Sequence, residues 1–253
     1  MASVLQLSIV LIVLQNKAAP LIGLLLASGR GQRFDAGGHR NKLLASLPDG
    51  QTVVVASARA MCAALDHVVV VVPARGSLLE AALVDLPVRL VRNARAKEGM
   101  GASIAVGVHA MQAEFPDAEG WVIALADMPF IAPETIRAVA EGFLMANALF
   151  AVRSGNGAGD ETCHHGRHET RRLIAAPTYR GRRGHPVAFS KQLADELLLL
   201  SGDVGASALL ARHPALLIEC DDGGIVRDID TPADLAGAAN YPPRAPSTSR
   251  KQL

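Results

Sequence analysis

The residues best suited to chemistry fall in a short stretch, Leu26-Ala27-Ser28-Gly29-Arg30-Gly31-Gln32-Arg33, with Lys42 a little further on. Gly29 and Gly31 carry no Cβ, so the main chain can bend sharply there and bring its N–H groups up to a ligand. Arg30, Arg33 and Lys42 add positive charge around the same turn. Backbone donors and cations together suit an anion of several charges, such as a polyphosphate. The stretch matches neither of two named phosphate loops. It lacks the Gly-Lys-Ser/Thr of a Walker A loop, and Phe34 stands where the dinucleotide fingerprint needs its third glycine. Taken alone, the turn reads equally well as a surface bend with incidental arginines.

Carboxylates at other places could hold a cation for that anion. Asp127 ends the apolar run Trp121 to Ala126, and Asp228 and Asp230 belong to Asp228-Ile229-Asp230-Thr231-Pro232. Hard oxygen ligands select magnesium, and functional groups of open parallel sheets gather beyond the carboxyl ends of strands. Asp127 also has a plainer reading, as the start of a turn before Pro129. Gly99-Met100-Gly101 leads into a small, apolar helical stretch with Ser103 in its first turn, which points to a second anion site at a helix N-terminus. Arg183-Gly184-His185-Pro186 closes a basic turn, either a solvated hairpin tip or a further contact to a substrate anion.

The elements that must carry these groups alternate. Leu21 to Leu26, His67 to Val72, Val88 to Val91, Trp121 to Ala126, Leu173 to Ala176 and Ala215 to Glu219 read as strands. Thr52 to Leu65, Ser77 to Val84, Ala102 to Phe115, Pro133 to Met145 and Lys191 to Leu200 read as helices between them, and Asp228 and Asp230 are expected at the end of a further strand. Thr231 is suited to cap a final helix that Pro232 begins. Mostly apolar strands alternating with helices predict a three-layer α/β/α domain around a mostly parallel, Rossmann-like sheet. The Tyr179 to Phe189 hairpin is an antiparallel addition to it.

With 25 Lys and Arg against 24 Asp and Glu, the net charge of +1 argues against a nucleic-acid-coating or polybasic membrane protein and for a small polar ligand. Three scattered cysteines, Cys62, Cys163 and Cys220, form no disulfide framework and fit a reducing cytoplasm. Residues 1–20 read as an N-terminal apolar extension, 21–239 as a single domain with a loop inserted at 152–172, and 240–253 as a disordered tail. The run Val4 to Leu14 resembles the apolar part of a signal peptide, but no Lys or Arg precedes it and it is too short to span a bilayer. The inserted loop holds Cys163, His164, His165 and His168, which invite a zinc reading. Their spacing is too tight for four ligands of one site, and a solvated loop is preferred.

Together, Leu26-Ala27-Ser28-Gly29-x-x-x-Arg33-Phe34 with Lys42-Leu43-Leu44, Gly99-Met100-Gly101-Ala102-Ser103, Leu125-Ala126-Asp127-Met128-Pro129, Arg183-Gly184-His185-Pro186, Gly202-Asp203-x-Gly205-Ala206 and Asp228-Ile229-Asp230-Thr231-Pro232 resemble the MobA-like nucleotidyltransferases, and among them the molybdenum cofactor cytidylyltransferases. The resemblance implies the nucleotide-diphospho-sugar transferase type of fold. It also implies transfer of a cytidylyl group from CTP to molybdopterin with release of pyrophosphate, using Mg2+. A molybdenum hydroxylase or its chaperone is then a conceivable recipient, with no nucleic acid and no stable membrane association. It implies that Lys42, Arg33 and Asp127 are catalytic and that Leu26, Ala27, Ser28, Gly29, Arg30, Gly31, Gly99, Gly101 and Ser103 bind the nucleotide. Arg183, Gly184, His185 and Pro186 would bind the acceptor, and Asp127, Asp228 and Asp230 the metal. Ala27-Ser28-Gly29 departs from both the Ala-Ala-Gly of cytidylyl members and the Ala-Gly-Gly of guanylyl members, and Ala36 to Arg40 lengthens the path to Lys42. GTP as donor, and a non-catalytic cofactor carrier, are the alternatives.

Overall fold

Six consecutive apolar residues make strand β1 (Leu21–Leu26), and all six are buried. A strand without polar alternation is one covered on both faces. In the computed structural model, which describes residues 19–29, 31, 33–35, 37, 40–74, 78–155 and 172–238, β1 lies inside an eight-stranded sheet. Strands β2 (Val68–Pro73) and β4 (Gly120–Leu125) flank it in parallel, and β3 (Val88–Asn93) continues beyond β2. On the other side, β7 (Val187–Ser190) runs antiparallel beside β4 and is followed by β5 (Ile174–Tyr179), which pairs in parallel with β8 (Ala215–Glu219). The short β6 (Arg182–Arg183) pairs with the far end of β5.

Helices close both faces. They are α1 (Val53–Ala64), α2 (Leu78–Ala82), α3 (Met100–Glu114), α4 (Pro133–Gly155), α5 (Ala194–Leu198), α6 (Ser207–Arg212) and α7 (Pro232–Gly237). Because side chains alternate along a strand, the core falls into two layers. Leu21, Leu25, Val70, Val122 and Ala124 meet Met61 of α1 and Ile136 and Phe143 of α4. Ile22, Leu24, Val69, Val71 and Trp121 meet Ile104 and Val108 of α3, Leu197 of α5 and Leu209 of α6. The three-layer α/β/α arrangement expected from the sequence is the one observed.

The antiparallel addition expected from the sequence is present, and its strand β7 sits between β4 and β5, paired to both. Two expectations need correcting. The helix from Pro133 does not stop at Met145 but runs to Gly155, into the stretch read as inserted loop, since no proline or glycine lies between Met145 and Gly155. Asp228 and Asp230 do not end a strand. They follow a 3-10 turn at Gly223–Val226 in an extended segment whose Ile229 N–H bonds Asp127 O at 2.8 Å. The remaining stretch of the expected insert with its Cys163, His164, His165 and His168, the run Val4 to Leu14 and the tail 240–253 lie outside the described residues. Among the described residues no helix is long and apolar enough to cross a membrane.

Candidate active site

β1 and β4 are neighbours in register, with Leu26 opposite Leu125, so the segments leaving their carboxyl ends emerge side by side. The first carries Ser28, Gly29, Gly31 and Arg33, the second Asp127. Arg30 lies outside the described residues. Ala27 belongs to the sheet rather than to the loop, because its N–H is engaged by Val71 O at 2.9 Å and its side chain is fully buried. It is therefore not a donor to a ligand, contrary to the expectation. Gly31 adopts φ +60°, a conformation that favours glycine, and its Cα lies against the Lys42 stem. Gly29 opens on free space.

Lys42 begins a 3-10 turn, Lys42–Leu44, held by Asn41, whose side chain accepts from Leu43 N. This turn buries the lysine stem and aims its ammonium at two carboxylates. Lys42 Nζ donates to Asp127 Oδ2 at 2.6 Å and to Asp230 Oδ1 at 2.7 Å, and Arg33 donates to Asp230 Oδ2 at 2.6 Å. Burial disfavours the charged lysine, but Asp127 and Asp230 more than offset it, so its pKa lies above the ordinary value. Asp230 is fixed from behind by a capping box at α7, in which Thr231 Oγ1 accepts from Asp234 N while the Asp234 carboxylate accepts from the N–H groups of Thr231 and Asp230.

A cleft of about 560 Å³ gathers these groups, lined by Leu26, Ser28, Gly29, Gly31, Arg33, Lys42, Ala96, Lys97, Gly99, Met100, Ser103, Leu125, Asp127, Asp203, Asp228 and Asp230. That volume is in the range of small-molecule sites. Ser103 holds two of its walls together: its hydroxyl is 2.7 Å from that of the buried Ser28 and accepts from Asn93 Nδ2 at 3.0 Å. Gly101 does not face the cleft. A Cβ there would stand 2.7 Å from Ser201 N, so its smallness serves close packing. The start of α3 is not an anion site of the expected kind either, because the Asp203 carboxylate lies against Gly99. Lys97 and Asp203 were not singled out as site residues, and only the Gly202-Asp203 block hinted at the second.

Arg183, Gly184, His185 and Pro186 do not line this cleft. Gly184 packs against the Ile225 main chain, and His185 N–H donates to Ile225 O at 2.9 Å. Burial lowers the His185 pKa, with Asp127 and the Ile123 carbonyl opposing and Arg183 reinforcing that shift. The Asp228 carboxyl is pushed up, first by burial and then by Asp230 and Asp127.

Among the described residues no three His, Cys, Asp or Glu side chains stand together as a metal site. Two carboxylates nevertheless remain suited to a hard cation. Asp127 Oδ1 is buried without a hydrogen-bond partner, an orphaned acceptor beside the Lys42 ammonium. Magnesium is commonly held by one or two carboxylates plus substrate phosphates, and Asp127 with Asp230 supplies that set.

The family model of the MobA-like NTP transferase domain matches residues 23–216, from β1 into β8. The chain belongs to the MobA-like NTP transferase family. It is thus a nucleotidyltransferase, and all the lining residues of the cleft except Asp228 and Asp230 lie within the matched stretch. Its fold is similar to that of Rv0371c from Mycobacterium tuberculosis H37Rv, at 25% identity and TM-score 0.63, over 89% of this chain and 100% of that one. A second structure of Rv0371c, a complex with manganese, has 24% identity and TM-score 0.59, over 88% of this chain and 99% of that one. The nucleotidyl transferase Mth528 from Methanothermobacter thermautotroptrophicus shares the fold at 22% identity and TM-score 0.65, over 88% and 97% of the two chains. Comparison with curated proteins finds no relative of this MobA-like chain.

Proposed function

We propose that this MobA-like transferase moves a cytidylyl group from CTP to the terminal phosphate of molybdopterin, releasing pyrophosphate. The observation that carries the reading is the placement of Lys42 between Asp127 and Asp230, beside the Gly29–Arg33 turn and inside one cleft. An acceptor phosphate oxygen attacks the α-phosphorus, the bond to the bridging oxygen of the β-phosphate breaks, and pyrophosphate leaves with that electron pair. The attacking phosphate is already ionised, so the chain needs no general base. Its task is to hold, align and neutralise.

In this reading the main chain at Ser28, Gly29 and Gly31 cradles the phosphates. Arg33, whose side chain is 80% exposed, swings from Asp230 to the departing pyrophosphate. Lys42 neutralises the α-phosphate as charge builds on it. Asp127 and Asp230, with Asp228 beside them, would hold a divalent cation, Mg2+, which when bound would supply charge neutralisation to the phosphates. Rv0371c, which shares the fold, forms a complex with manganese, and this supports a divalent ion in the reading. Arg183, Gly184, His185 and Pro186, outside the cleft, are left to the pterin side. The preference for CTP rests on the resemblance of the Arg183–Pro186 and Asp228–Pro232 blocks to cytidylyl members.

The test is incubation with molybdopterin, Mg2+ and each nucleotide separately. Pyrophosphate from CTP supports the proposal, pyrophosphate from GTP alone moves the chain to guanylyl transfer, and tight pterin binding without turnover makes it a cofactor carrier.

A further inference from the structure

Asp203 lines the cleft beside Gly99 and Met100, and nothing so far accounts for its charge. Backbone contacts fix its position. Gly99 has φ +105° and would strike the Asp203 carboxylate and the Gly202 main chain if it carried a Cβ. Gly205, at φ +56°, lies against Met100, and Gly101 against Ser201. The 3-10 turn Gly202–Val204 is thereby seated on the first turn of α3 and holds its carboxylate in place. Among the described residues no hydrogen bond or ion pair engages the Asp203 side chain, which is exposed.

By the glycine turn, Arg33 and Lys42 stand with Asp127, Asp228 and Asp230, where phosphates and a cation would sit. Asp203 stands apart from that cluster, by Gly99, with Lys97 also on the cleft wall. A carboxylate accepts hydrogen bonds and donates none, so it repels ionised phosphate and attracts O–H and N–H groups. In a nucleoside triphosphate those donors belong to the nucleoside: the ribose hydroxyls and the exocyclic base amine. We infer that Asp203 is a specificity-determining residue that accepts a hydrogen bond from the nucleoside of the donor nucleotide. The inference rests on the nucleotidyl-transfer reading of the site.

The test measures binding and turnover separately, using CTP, 2′-deoxy-CTP, 3′-deoxy-CTP and UTP with the wild-type chain, Asp203→Asn and Asp203→Ala. Matching thermal melts establish that the variants are folded. The wild type is expected to bind CTP about tenfold or more tightly than the analogue that lacks the donor, and Asp203→Ala to abolish that gap by weakening every nucleotide except that analogue. A gap against either deoxy-CTP assigns the donor to that ribose hydroxyl, and one against UTP assigns it to the base. An equal loss for all four nucleotides, or an unchanged gap in both variants, overturns the inference. Wild-type binding without pyrophosphate release would instead overturn the transfer reading, while the binding ratios still decide the role of Asp203.

Discussion

Lys42 Nζ stands 2.6 Å from Asp127 Oδ2, and the same ammonium reaches Asp230 Oδ1 at 2.7 Å. One cation thus joins two carboxylates from distant parts of the sequence, with the lysine side chain only 9% exposed. Replacing it by methionine keeps the stem but leaves two part-buried carboxylates facing each other. Lys42→Met is expected to lose about 1–3 kcal/mol of stability by denaturant unfolding, and about a hundredfold or more in kcat/KM. Adding Asp230→Asn should recover part of the stability and none of the activity.

The same pairing makes a divalent ion compete with the lysine for Asp127 and Asp230 when no nucleotide is bound. Titration with Mn2+, followed by electron paramagnetic resonance, should therefore show about tenfold tighter binding to nucleotide-free Lys42→Met than to the wild type. Equal affinities would mean that the ion and the ammonium do not share these carboxylates.

Gly29 and Gly101 should answer differently to alanine. At Gly101 the added Cβ would press on the Ser201 main chain, and Gly101→Ala is expected to cost about 1–3 kcal/mol by thermal unfolding. At Gly29 nothing stands within 4 Å, so Gly29→Ala should melt within about 0.5 kcal/mol of the wild type while raising KM for the nucleotide, because the methyl intrudes on the cleft.

His185 sets an acid-side limit. Burial, opposed by Asp127 and Ile123 and aided by Arg183, holds the folded imidazole below its ordinary pKa. The unfolded chain therefore takes up a proton near pH about 6.5 before the folded one does. The stability of the neutral buried ring is fully present above that pH and is lost as pH falls through the lower folded value. The wild-type Tm should drop more than that of His185→Gln between about pH 7.5 and about pH 5.5. Parallel curves would contradict this.

Much of the fold was legible because its strands are apolar on both faces: Leu21–Leu26 and Val68–Pro73 leave little else to read. The position of β7 was not, since pairing partners depend on contacts across the chain and four buried residues do not say which strands will flank them. Within the site, Gly31, Arg33, Lys42 and Asp127 were readable by type, and the structure brings them to one cleft. Asp203 escaped because its place depends on the close approach of Gly99 and Gly101 to the Ser201–Gly205 segment, a packing fact rather than a motif. Ala27 was misread because the end of β1 extends one hydrogen bond further, to Val71 O, than its apolar run suggested.

The central claim is that Asp127 and Lys42 serve phosphoryl chemistry in one cleft, and the most direct measurement is pyrophosphate release from CTP with molybdopterin and Mg2+, in the wild type and in Asp127→Ala. The account predicts steady release that Asp127→Ala abolishes while the variant still unfolds cooperatively. Undiminished release from Asp127→Ala would contradict it.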